Sequence, residues 1–150
     1  FLEIKDHVNF SILKFQFKSS AIKVRYCETD QMGFVHHSNY LKYFELARLE
    51  WLTKLGISYK KMEEDGVLLP VIYSETKYLF PLKFDDFFFV KVGIQELPVS
   101  RLTLNYEIEN HENKKICSGS VQLAFLNSKN HKPLRAPDIL SFVFKKNYDL

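Results

Sequence analysis

"ETDQMGFVHHSNYLKYFELAR", residues 28 to 48, packs a carboxylate, a glycine and two adjacent histidines into a short polar loop and then starts the most hydrophobic helix of the chain. Asp30 lies too early to cap that helix, so its place in the loop needs another reason. Ser38 and Asn39 are the residue types that begin helices, because their side chains accept from the unpaired N–H groups of the first turn. From them "YLKYFELARLEWLTKL" reads as helix until Gly56, a natural stop. Tyr40, Phe44, Ala47, Trp51 and Leu55 follow helical spacing along one face, and Leu41, Tyr43, Leu46, Leu49 and Leu52 extend apolar character to nearly every other direction. A helix apolar almost all round is expected to be enclosed by other structure. At the usual rise it would be roughly 25 Å long.

The segments on either side supply the enclosure. Ahead of the loop, Ile22, Val24 and Tyr26 alternate with Lys23, Arg25 and Cys27, the pattern of a half-buried strand with Tyr26 facing inward. Behind the helix, "SYKKMEED" (58–65) reads as a short polar helix or turn. "LLPVIYSETKYLF" (68–80), "FFFVKVGIQEL" (87–97), "RLTLNYEIEN" (101–110) and "ICSGSVQLAFLN" (116–127) read as strands separated by turns. No later helices are expected to cover parallel strands, so the sheet should be antiparallel. The expected class is α+β: a curved antiparallel sheet of five or six strands wrapped around one long central helix, the hotdog fold. Residues 1–20 are left as an extension with no assigned role, 21–137 as the domain, and 138–150 as a tail.

Composition narrows the function. Hydrophobic residues make up 46% and charged residues 26%, which fits a folded domain with a core. The net charge of +3 comes from scattered lysines and falls short of a nucleic-acid footprint. No apolar run reaches membrane-spanning length, and the amino-terminal stretch lacks the small-residue cleavage site of a secretory signal. Cys27 and Cys117 are far apart and form no CxxC pair, which argues against a disulfide framework and fits a reducing, cytoplasmic setting.

The stretch "VRYCETDQMGFVHHSNYLKYFELAR", followed by "YLFPLKFDD" (78–86) and "KPLRAP" (132–137), resembles the 4-hydroxybenzoyl-CoA thioesterase family, and within it the small acyl-CoA thioester hydrolases of the YbgC type. The resemblance runs from about Ala21 to Pro137. It implies an acyl-CoA thioester hydrolase, with Asp30 at the position of the catalytic aspartate and His37 and Tyr26 at positions of further functional side chains. Gly33, Phe34, Val35, Asn39 and Tyr43 would surround the thioester. It also implies a homodimer or homotetramer with sites shared between chains.

The chemistry suits such a group. A thioester carries a good leaving thiolate, so it needs a nucleophile and something to polarise its carbonyl. A carboxylate near a helix N-terminus offers both, because the terminal N–H groups can meet the negative charge that develops on oxygen. Carboxylates are weak bases near neutrality, which favours direct attack over activation of water, though either stays open. No metal or organic cofactor is called for, and His36 beside His37, without a third clustered ligand, does not read as a metal site. Glu45 and Arg48 are spaced to pair along the helix. Lys132 and Arg135 are candidates for the CoA phosphates. The alternatives are a hotdog hydratase or dehydratase, whose usual Asp-to-His spacing is not met here, and a non-catalytic acyl-CoA binding module.

Overall fold

In the computed structural model, which describes residues 13–150, the alternating segments form a six-stranded antiparallel sheet packed against the long helix. Strands β1 (Phe17–Lys18) and β2 (Ile22–Lys23) both pair with β5 (Phe87–Gly93). From β5 the sheet runs through β6 (Arg101–Asn110) and β7 (Lys115–Ala124) to β4 (Val71–Tyr78) at the opposite edge. The helix α1 spans Tyr40–Lys54, and a shorter helix α2 spans Tyr59–Glu64. Two short strands, β3 (Val67–Leu68) and β8 (Leu126–Asn127), pair separately. No helix among the described residues is long and apolar enough to cross a membrane.

In β6, Leu102, Leu104, Tyr106 and Ile108 alternate on the buried face, and the burial pattern breaks only at Glu109, which is also buried beside a register shift. Phe44 of α1 meets that face, its ring stacked on Tyr106 at 4.4 Å. α1 stops where expected, with Gly56 at φ +78°, a backbone conformation other residues resist.

Enclosure of α1 is one-sided. Tyr40, Tyr43, Phe44, Ala47, Arg48, Trp51 and Leu52 are buried, whereas Leu41 and Leu46 are 41% and 53% exposed. One chain supplies one sheet, and a sheet covers one face of a helix. The apolar residues on the other face are left to water. The ends of the chain also differ from the initial reading. Residues 138–150 were expected to be a tail, but Asp138–Asn147 form a helix, α3, that buries Leu140, Val143 and Phe144. Its partner is the far end of α1: Phe144 packs on Trp51, whose indole N–H donates to the Tyr148 hydroxyl at 2.9 Å. Within the amino-terminal extension, residues 1–12 lie outside the described residues. Gln16 clamps the following segment to the end of β5, donating from its side chain to the Ile94 carbonyl and accepting from the Ile94 N–H.

The strand expected over 22–27 is cut short after Lys23. The Glu28 carboxylate accepts from the Arg25 backbone N–H at 2.8 Å and from its guanidinium, which rolls residues 26–28 into a 3-10 turn. Tyr26 is thereby turned outward, 78% exposed, rather than inward with Val24, and its ring meets Phe84 edge to face at 5.6 Å.

Candidate active site

The loop between Glu28 and Asn39 is closed at its base. The Glu28 carbonyl accepts two hydrogen bonds, from the His36 N–H at 2.8 Å and from the Asn39 side-chain amide at 2.9 Å. Inside, Asp30 shapes its own turn. Its Oδ1 accepts from the N–H groups of Met32 (2.9 Å) and Phe34 (3.1 Å), and its carbonyl accepts from Gly33. Gly33 sits at φ +81°, which allows the chain to reverse there. Asp30 is half-buried, and its Oδ2 takes no hydrogen bond among the described residues.

The helix start differs from the expected cap. A 3-10 turn over His37–Asn39 precedes α1, and His36 caps it, its ring nitrogen accepting from the Ser38 N–H. Asn39 makes no capping bond: its amide N–H donates to the Glu28 carbonyl and its Oδ1 accepts from the Lys42 ammonium at 3.3 Å. The Asn39 and Tyr40 N–H groups are taken up by the carbonyls of His36 and His37. The His37 N–H has no acceptor among the described residues. The His37 carbonyl in turn accepts from the Tyr78 hydroxyl at 3.3 Å.

Several candidate residues thus lie on one loop and helix start: Asp30, Gly33, Phe34, His37 and Asn39. Val35 is also there but faces the core, 5% exposed, with its N–H on the Leu82 carbonyl. Tyr43 is fully buried and donates its hydroxyl to Glu28 at 2.9 Å, so its polar end faces that carboxylate. Lys132 and Arg135 lie apart, on the connection after β8, where the Lys132 carbonyl accepts from Asn127. Arg48 is buried, with Glu45 at 3.7 Å. A cavity of about 290 Å³, lined by Leu49, Thr53, Gly56, Ile57, Ser58 and Tyr59, opens at the far end of α1 from Asp30. No group of three or more His, Cys, Asp or Glu among the described residues is arranged to hold a metal ion.

Glu28 was missed as a site residue, although Arg25 three positions ahead of it was a readable signal. It is 7% exposed. Burial alone would raise its pKa, but the bonds from the Arg25 N–H, the Tyr43 hydroxyl and the Arg25 side chain outweigh that and hold it below the ordinary carboxylate value. Burial, and then the bond to Glu28, push the Tyr43 phenol upward, so it remains a donor. A carboxylate with a depressed folded-state pKa contributes stability above the unfolded value, and that contribution is lost as pH falls through the folded one. Urea midpoints should therefore drop as pH is lowered below the ordinary carboxylate range of about 4 to 4.5. Glu28→Gln should flatten that dependence. An identical slope in both proteins would show that Glu28 does not contribute to it.

The sequence matches the family described as the thioesterase-like superfamily over residues 24–143. The chain belongs to that superfamily. The DHNA-CoA thioesterase of Staphylococcus aureus is 32% identical and superposes with a TM-score of 0.80, over 86% of this chain and 89% of that one. The acyl-CoA thioester hydrolase YbgC of Escherichia coli is 26% identical over 125 residues, 83% of this chain and 93% of that protein. The 1,4-dihydroxy-2-naphthoyl-CoA hydrolase of Thermosynechococcus vestitus is 25% identical over 78% of this chain and 81% of its own length. The hotdog architecture of these thioesterases is the one described above.

Proposed function

We propose that this chain hydrolyses acyl-CoA thioesters to the free acid and CoA, with Asp30 as the nucleophile or the base that activates water. The observation that carries the reading is the state of Asp30: one carboxylate oxygen is spent on the turn, and the other has no partner among the described residues. The His37 N–H, which starts the 3-10 turn leading into α1 and has no acceptor among the described residues, supports a companion role in polarising the thioester carbonyl. One such donor is typically worth about 3 kcal/mol in the transition state. The names of the thioesterase relatives support the substrate class.

In this reading Asp30 attacks the carbonyl carbon, or takes a proton from water that does so. The tetrahedral oxyanion is met by the N–H group at the helix start and collapses with expulsion of the thiolate. Direct attack leaves the acyl group on Asp30 as a mixed anhydride, which water then hydrolyses to the free acid and the regenerated carboxylate, the released proton going to the thiolate. A panel of short, long and aromatic acyl-CoAs, followed by thiol release, tests it. Folded protein that cleaves none of them overturns the proposal.

The active form is a homodimer or a larger assembly built from it. β4 supports this: it is an eight-residue edge strand, and Val71, Ile72, Tyr73 and Tyr78 on it are 47% to 54% exposed. An open edge of that length invites pairing with another strand, and two copies related by a two-fold axis would extend one sheet through β4. A second chain would also cover Leu41 and Leu46 and shelter the Asp30 loop from water. Light scattering over a dilution series should give at least twice the chain mass. A monomer with full specific activity rules the assembly out.

A further inference from the structure

Resting on the assignment of Asp30, we propose that Glu28 is a positioning residue for it, acting through a buried clasp with Asn39 and Tyr43 and touching no substrate. Two features of Glu28 work together. Its carbonyl closes the loop by holding both the His36 N–H and the Asn39 amide. Its carboxylate ties that closure to the framework, accepting from the Arg25 N–H and guanidinium on one side and the Tyr43 hydroxyl, one turn into α1, on the other. Asp30 is two residues beyond this point, so the direction of its unpartnered oxygen relative to the head of α1 is set by how tightly the base is held.

Stability does not explain why a carboxylate stands there. Burying a charge carries a desolvation cost, and apolar residues of similar volume often serve as well or better. An apolar pair would fill the space under the loop without fixing a direction. The carboxylate fixes one, because each of its bonds has a required geometry. Reaction geometry is sensitive at this scale: a displacement of about 1 Å can cost on the order of a hundredfold in rate.

The test is a double-mutant cycle. Glu28→Gln keeps the volume but loses the charge and one of the acceptors. It should lower kcat about tenfold or more with KM unchanged. Tyr43→Phe, which removes a single donor, should lower kcat in the same direction by less. Introduced beside Asp30→Asn, neither change should lower the residual rate further, because their effect runs through Asp30. An undiminished kcat in Glu28→Gln overturns the proposal. So does an equal fold-loss with and without Asp30, since a change that only loosens the fold penalises every background alike. The Asp30→Asn single variant reports separately on the assignment of Asp30 itself.

Discussion

Asp30→Asn should lower acyl-CoA turnover at least about a hundredfold, the cost of losing a general base or nucleophile, while the protein stays folded. Asparagine keeps an oxygen where Oδ1 now accepts from the Met32 and Phe34 N–H groups, so the turn survives. What changes is the second oxygen, replaced by an amide nitrogen that is neither nucleophile nor base. Substrate affinity should change little, because the Gly33 reversal, the Asn39 clasp and the helix start are left in place. Steady-state kinetics alongside a melting curve decide the matter. A variant that retains more than about a tenth of wild-type turnover removes Asp30 from the mechanism, because the expected loss is ten times larger.

Gly119→Ala should damage the scaffold although it adds only a methyl group. Gly119 lies in the middle of β7, paired with Tyr106 and Thr76 on its two sides. A methyl group there would come within 2.5 Å of the Phe44 ring and 2.8 Å of the Glu75 carbonyl. Neither neighbour can retreat easily: Phe44 is fully buried and stacked on Tyr106, and Glu75 is held in the sheet. Overpacking of this kind costs about 1 to 3 kcal/mol, which for a chain of this size lowers the melting temperature by roughly 2 to 12 °C. Adding Phe44→Leu should recover part of the loss by withdrawing the ring edge. A Gly119→Ala protein that melts with the wild type would mean that α1 sits higher above the sheet than described.

The edge position of β4 and the one-sided burial of α1 illustrate how far periodicity can go. A run of apolar residues around α1 says that every face wants cover, but it cannot say how much of that cover one chain provides. The exposed Leu41 and Leu46 record the difference. In the same way, the segment 68–80 read as a strand without revealing that, among the described residues, β4 has a sheet partner only on the β7 side.

What the sequence by itself determined is the part governed by local rules. Strands β5 and β6 and the long helix ending at Gly56 follow from side-chain direction and backbone preference over a few residues. The motif from Glu28 to Arg48 likewise brought out Asp30, Gly33 and Asn39, which the fold places on one loop and helix start. Tertiary structure alone decided how distant groups share space and hydrogen bonds. Glu28, which ends the strand locally by capturing the Arg25 N–H, is fixed in place from further off. Tyr43 turns its hydroxyl to the same carboxylate, fifteen residues away in the chain. Gly119 must be glycine because Phe44, far off in sequence, fills the space above it, and α3 forms where a tail was expected because Trp51 and the end of α1 offer it a face. Propensity acts over a few neighbouring residues. A buried acceptor or a filled volume is a property of what the fold brings together, and it becomes visible only once the chain has closed on itself.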